Sequence, residues 1–220
     1  MKEYLNVHLV DNPLAQATLT TLRDKNTDRE NFRGSLSLLG KLTGIEITRT
    51  MDYTELEVET PTGARSKGVS LTDAHSIVVI NVLRAAMPFV EGLIEILPYA
   101  RLGVVSAKRV EEGVASPNYR FKIEMPYIRV PELHRQDTLI IADPMLASGS
   151  TLLAVLDKLI RGDLPKRVIS TSVVSAPLGI ERINARYPSV EIFTAAVDVG
   201  LNEHGYIVPG LGDAGDRVCG

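Results

Sequence analysis

From Ser76 onward the chain alternates between short runs of β-branched residues and segments of helical spacing, and this alternation restricts the possible folds more than any other feature. The runs are SIVVINV (76–82), RLGVVSA (101–107), TLIIAD (138–143), RVISTSVV (167–174) and VEIFTAAVD (190–198), with helical patterns at 86–97, 149–161 and 177–186. Strands that are apolar on both faces belong to sheets covered on both sides, so the expected fold is α/β, a mostly parallel twisted sheet flanked by helices. Before this core, residues 1–75 hold an N-terminal helical arm and a β-hairpin arm. One helix is expected near 14–24. A second should start at the capping box Thr27-Asp28-Arg29-Glu30 and run through Leu36, Leu38, Leu39 and Leu42. The stretch 57–71, with Pro-Thr-Gly-Ala between two extended segments, reads as the hairpin, whose full extent is taken as 53–71. The expected organisation is a single domain over 1–220, with an α/β core at 76–200 and a C-terminal loop at 201–220. Segment 107–125 is polar, broken by Gly113 and Pro117, and is the candidate for a mobile loop.

With 220 residues, 45% hydrophobic and 23% charged, the chain can bury one substantial core. A net charge of −3 and a pI near 5.8 supply no electrostatic footprint for nucleic acid. No window approaches the roughly 18 consecutive apolar residues that a membrane helix requires, so neither partner is expected. The single cysteine, Cys219, excludes an intramolecular disulfide, and the N-terminus lacks the apolar stretch of a secretory leader; the expected location is the cytoplasm. His8, His75, His134 and His204 are scattered without metal-ligand spacing, and Cys219 has no evident base beside it, so none is assigned a catalytic role.

The stretch IIADPMLASGSTLL (140–153) carries the first functional signal. Asp143 falls at the carboxyl end of a strand, where open α/β sheets bind ligands, and Ala147-Ser148-Gly149-Ser150-Thr151 opens the next helix. Small residues let backbone N–H groups crowd an anion, hydroxyls add donors, and the helix dipole favours negative charge. A carboxylate beside a phosphate is repulsive unless a cation or a sugar diol lies between, so Asp143 points to a ribose phosphate or a Mg²⁺ complex. The plainer alternative is that Asp143 starts a turn and Ser148 caps the helix.

Two other glycine patterns fail on inspection. GSLSLLGK (34–41) has five residues between its glycines instead of a Walker loop's four, and Leu42 where Ser or Thr is needed, so it reads as a helix surface. Gly210-Leu211-Gly212-Asp213-Ala214-Gly215 satisfies G-x-G-x-x-G, yet five residues follow, too few for a dinucleotide fold. So glycine-rich an end, GYIVPGLGDAGDRVCG, requires backbone freedom for some other purpose, or is a frayed terminus.

IIADPMLASGST resembles the phosphoribosyl-diphosphate motif of type I phosphoribosyltransferases, and GYIVPGLGDAGDR is similar to the C-terminal base-binding signature of the uracil phosphoribosyltransferases. LRDKNTDRENFR (22–33), NVLRAAMPFVEGL (81–93) and Arg109 to Glu112 extend the likeness over most of the chain. The resemblance implies transfer of ribose 5-phosphate from phosphoribosyl diphosphate to uracil, giving UMP and diphosphate, as in pyrimidine salvage. It implies that Asp143, Pro144, Met145, Leu146, Ala147, Ser148, Gly149, Ser150 and Thr151 hold the 5′-phosphate and ribose, Asp143 at the ribose hydroxyls. Arg84 and Arg109 would contact the diphosphate. Uracil would be read mainly by main-chain groups at Ile207 and at Gly212, Asp213 and Ala214, with Asp213 also facing the diphosphate. The implied catalytic set is Asp213, Asp143 and Arg109. Mg²⁺ is the implied cofactor, carried by the diphosphate near Asp213 and not held by a direct protein site. A homodimer or homotetramer is implied, with the hairpin and N-terminal helices as the interface.

The sequence departs from its relatives in places. Asp143 is followed by Pro144 where many type I relatives have a second acid, and the loop reads Ala-Ser-Gly-Ser-Thr where Ala-Thr-Gly-Gly-Thr is frequent; the chain ends Arg-Val-Cys-Gly where Phe is common. Relatives activated by GTP carry basic residues on the N-terminal helices, whereas Arg33 is followed here by GSLSLLG, which puts GTP binding in doubt. A different class, a pyrimidine-sensing RNA-binding regulator on the same fold, would need a basic face and a steep salt dependence. A purine-specific enzyme would need another base pocket than the GYIVPGLGDAGDR loop.

Overall fold

The computed structural model describes residues 4–110, 118–160, 162 and 165–220. In chain order the elements are β1 (Val7–Leu9), α1 (Pro13–Arg23), α2 (Arg29–Thr48), β2 (Tyr53–Glu59), β3 (Arg65–Leu71), β4 (Ile77–Leu83), α3 (Met87–Ile96), β5 (Arg101–Arg109), β6 (Ile123–Arg129), β7 (Thr138–Ala142), β8 (Met145–Leu146), α4 (Ser150–Leu159), β9 (Arg167–Ser175), α5 (Pro177–Arg186), β10 (Glu191–Val197), β11 (Gly200–Leu201), β12 (Ile207–Val208) and α6 (Ala214–Cys219). The central sheet runs β1-β10-β9-β7-β4-β5-β6, with β8 beside β9. All its pairings are parallel except β5 with β6. The mostly parallel sheet inferred from β-branched runs is therefore the observed one.

Both faces of that sheet are buried, as the doubly apolar strands require. On β4, Ile77 and Val79 enter a core with Leu19 and Leu22 of α1, Phe32, Leu36 and Leu39 of α2, and Phe89 and Leu93 of α3. The alternate residues Val78, Ile80 and Val82 pack with Leu152 and Val155 of α4 and Ile180 and Ile183 of α5. The period of two along a strand divides one apolar run between two helix layers. The expected N-terminal helical arm is thus a layer of the core, and β1 joins the sheet edge beside β10.

Some local readings change. The cap of α2 is Asp28, whose Oδ1 accepts from Asn31 N at 2.8 Å, while Thr27 Oγ1 donates to Thr21 O at 2.6 Å. GSLSLLGK is not simply a helix surface. A Cβ on Gly40 would sit 2.0 Å from Phe89 O, and one on Gly92 1.8 Å from Ser37 O, so glycines let α2 and α3 cross with backbones in contact. Even alanine there would have to push the helices apart, an overpacking worth about 1–3 kcal/mol or more. Within 107–125, β5 continues through Lys108 and Arg109 after a register shift, and Ile123–Arg129 forms the antiparallel edge strand β6. Pro126 is tolerated because an edge strand needs ladder bonds on one side alone. Residues 111–117 of the expected mobile loop lie outside the described residues. The hairpin of β2 and β3 forms as expected, and its strands are exposed throughout except for Gly68.

Candidate active site

The strand order puts three of the sequence-derived candidates side by side. β4 lies between β7 and β5, so Arg84 after β4, Asp143 after β7 and Arg109 at the end of β5 all stand at the carboxyl edge of adjacent strands. The chain reverses direction across the sheet between β4 and β7, and such a reversal opens the crevice in which α/β sheets take ligands.

The loop 143–151 forms a cradle there. Its walls are tied down from behind: Pro144 O accepts from Val173 N at 2.9 Å, and Leu146 O accepts from Ala176 N at 2.8 Å. Pro144, Leu146, Ser148 and Gly149 are buried, while Met145, Ala147, Ser150 and Thr151 are half-buried. All of these except Pro144 line one small cavity together with Asp143, Leu152 and Ser170. Gly149 is the N-cap of α4 with φ 77°, a left-handed conformation that lets the chain turn its next N–H groups toward the cavity. Ser148 does not occupy the cap position; its Oγ lies 3.0 Å from Ser150 Oγ and 3.4 Å from Ser150 N. The cradle is closed on its far side by α5. A Cβ on Gly179 would meet Ala147 O at 2.6 Å, which is why α5 can approach so closely.

Two arginines connect this cradle to the C-terminal loop. Arg182 of α5 donates to Ser148 O at 3.0 Å and to Tyr119 O at 2.9 Å, and also to Asn118 O. Ser150 Oγ accepts from Phe121 N at 3.2 Å, so residues 118–121 are stitched onto the cradle. Phe121 in turn lies under Arg109, whose guanidinium carbon is 3.0 Å from the ring centroid. Arg109 Nη1 donates to His204 O at 3.2 Å. Gly205, with φ 81°, leaves room for both: a Cβ there would reach Phe121 at 3.0 Å and Arg109 at 3.4 Å.

The second half of the C-terminal loop meets Arg84. Arg84 Nη2 donates to Asp216 Oδ1 at 3.3 Å, and both side chains are exposed. Asp213 caps α6 by accepting from Asp216 N at 2.9 Å. Gly215 sits between, with its would-be Cβ 3.1 Å from Asp213 Oδ1 and 3.7 Å from Arg84 Nη2. Gly212 (φ 77°) and Asp213 are exposed, whereas Ile207 and Ala214 anchor the loop in the core. All the sequence-derived residues thus gather along one sheet edge. Phe121, Asp216 and Arg182 join them without having been foreseen, since each acts through a partner dozens of residues away.

The charge state of Asp143 distinguishes it from the other acids. Burial pushes its carboxyl up from 3.8 to about 6, opposed in part by the hydrogen bond from Met145 N to Asp143 Oδ1 at 3.2 Å. A carboxyl that is harder to ionise in the folded chain takes up its proton first in the native state as pH falls. The contribution of this group to stability is therefore greatest below 3.8, declines as pH rises from 3.8 to about 6, and stays lower above that. At neutral pH the ionised group is a burden of at most about 3 kcal/mol. Asp143→Asn is expected to raise stability by about 1–3 kcal/mol at pH 7.5, a gain that shrinks as pH is lowered toward 4. Denaturant titrations at the two pH values measure it, and an unchanged or lower stability at pH 7.5 would contradict the burden. A ligand held by the ionised carboxylate is expected to bind more weakly as pH drops through about 6, which a pH series of binding titrations measures.

Among the described residues no group of three or more His, Cys, Asp or Glu is placed to hold a metal ion, and no helix is long and apolar enough to cross a membrane. A mostly parallel sheet whose carboxyl edge carries a small-residue loop, two arginines and a glycine-rich C-terminal segment is the fold that the resemblance to type I phosphoribosyltransferases implied. The family model for uracil phosphoribosyltransferase matches residues 9–220. Among similar proteins, the uracil phosphoribosyltransferase of Thermococcus gammatolerans is 50% identical over 210 residues, 96% of this chain and 91% of that one. That of Pyrococcus furiosus is 49% identical, covering 96% and 88%. A solved protein of Aquifex aeolicus superposes with a TM-score of 0.86 at 35% identity, over 97% of both chains. The chain belongs to the uracil phosphoribosyltransferase family.

Proposed function

We propose that the protein transfers the 5-phosphoribosyl group of phosphoribosyl diphosphate to N1 of uracil, forming UMP and diphosphate. The C1′–N1 bond forms, the C1′–oxygen bond to diphosphate breaks, and the N1 proton leaves. The observation that carries this reading is the meeting of Arg84 with the 213–216 turn, which sets the family's base-binding loop against the same sheet edge as the phosphate cradle.

In this reading, residues 144–151 receive the 5′-phosphate on main-chain N–H groups, and Asp143 accepts from the ribose hydroxyls. Arg84 and Arg109 meet the diphosphate, where a forked permanent cation offsets charge as the leaving group departs. Asp213 faces the same side. Its carboxylate and that of Asp216 are the exposed oxygen donors beside Arg84, a donor type that suits hydrated Mg²⁺. Mg²⁺ would arrive with the diphosphate and neutralise it. Arg33, an exposed residue, donates to Val218 O at 2.8 Å and so helps to seat α6. A homo-oligomer is part of the same proposal; exposed Tyr53, Leu56, Val58 and Val69 on the hairpin support it.

The test is product formation. The protein with phosphoribosyl diphosphate, Mg²⁺ and uracil is expected to yield UMP, and excess chelator to stop it. Absence of UMP would overturn the reading; turnover undiminished by chelator would remove the Mg²⁺ step.

A further inference from the structure

Resting on the reading that the 207–214 segment takes the base, we infer that Arg23 and Asp198 are positioning residues: they aim the main-chain groups of that segment and thereby set base selectivity. Asp198 follows β10 at the carboxyl edge and is 8% exposed. Its own N donates to Ser175 O at 2.8 Å, which fixes it to the sheet. Arg23, the last residue of α1, forks onto it, with Nη2 to Oδ1 at 2.6 Å and Nη1 to Oδ2 at 2.9 Å.

Between them they hold both polar groups of one glycine. Gly210 N donates to Asp198 Oδ2 at 2.8 Å, and Gly210 O accepts from Arg23 Nη1 at 2.8 Å. Gly210 has φ 61°, and a Cβ on it would lie 2.2 Å from Ile207 O, so the turn from Ile207 into Leu211 and Gly212 has no slack. Arg217 secures the far end, donating to Leu211 O at 2.9 Å and to Asp24 O at 2.7 Å, with its guanidinium over the Phe32 ring at 4.1 Å. The end of α1 and the base loop are therefore one unit. Main-chain donors and acceptors point where the backbone torsions send them, so a loop that reads a base with its backbone depends on whatever holds those torsions.

Arg23→Lys keeps the charge but loses the fork, and Asp198→Asn turns one acceptor into a donor. Steady-state kinetics would be measured with uracil and with cytosine, together with KM for phosphoribosyl diphosphate and the melting temperature. Both variants are expected to raise KM for uracil by about tenfold or more, to narrow the uracil-to-cytosine preference by a similar factor, and to leave KM for phosphoribosyl diphosphate within about twofold, the loss of one charge-assisted contact. Arg167→Lys is the control. It breaks a comparable forked pair, Arg167 with Glu191 at 2.6 and 2.7 Å, at the opposite edge of the sheet, and should move neither KM. Unchanged uracil KM and selectivity in both clamp variants, or both KM values rising in step, would overturn the inference. A parent enzyme that makes no UMP would instead overturn the base reading on which it rests.

Discussion

Cytosine is expected to be a worse substrate than uracil by roughly 30-fold to 10⁴-fold in kcat/KM, about 2–6 kcal/mol at 1.4 kcal/mol per tenfold. Uracil presents an acceptor at O4 and a donor at N3. Cytosine presents an amino donor and a ring acceptor at the same places. A main-chain N–H and C=O matched to uracil would each face a like group, and each buried mismatch is worth about 1–3 kcal/mol. The loop cannot turn to suit: Gly210 is held at both its N and O, and Ile207 is buried. Asp213→Asn tests who does the reading. Asn can still accept from Asp216 N at the cap of α6, so the loop should stand. Turnover should slow while the preference remains. Specificity constants for both bases with both proteins are the measurement; equal values in the parent, or preference lost with Asn, would show that the backbone of this loop is not the reader.

Gly149→Val is expected to weaken the apparent affinity for phosphoribosyl diphosphate by about 10² to 10⁴-fold, the loss of two charge-assisted hydrogen bonds at about 1.5–3 kcal/mol each. Crowding of the anion by a side chain, the reason that sequence alone supplies, is not the mechanism in the structure. At φ 77° a β-branched residue is severely disfavoured, and the Cβ would stand 3.2 Å from Gly179 O, on the α5 side. The turn must change, and the N–H groups of α4's first turn then lose their aim. Gly149→Asn, which tolerates left-handed backbone, should retain most of the affinity. Calorimetry with ribose 5-phosphate on the two variants compares them directly; equal affinities for Val, Asn and the parent would refute the cradle.

What was legible in the sequence has a common physical origin. SIVVINV, TLIIAD and RVISTSVV announce strands buried on both faces because such runs have no other stable place, and the order of those strands puts Asp143 and Arg84 at one edge. The short edge strand β1, three residues long, carries no such signal. β6 is hidden too, since Pro126 and partial exposure blur its alternation. GSLSLLGK shows the same limit from the other side: its Gly40, with Gly92 of α3, serves a helix crossing that depends on Phe89 and Ser37 of two different helices, whereas its Gly34 meets open space.

By itself the sequence determined the alternating fold class, the small-residue loop after β7 and the glycine-rich end, because local composition and period dictate those. Tertiary structure alone decided that Arg23 and Asp198 clamp Gly210, that Arg182 joins Ser148 to Tyr119, and that Arg109 rests on Phe121. Each of these is a directional contact between residues distant in the chain. Geometry on that scale follows from how sheet and helices pack, and an isolated stretch of sequence carries no record of it.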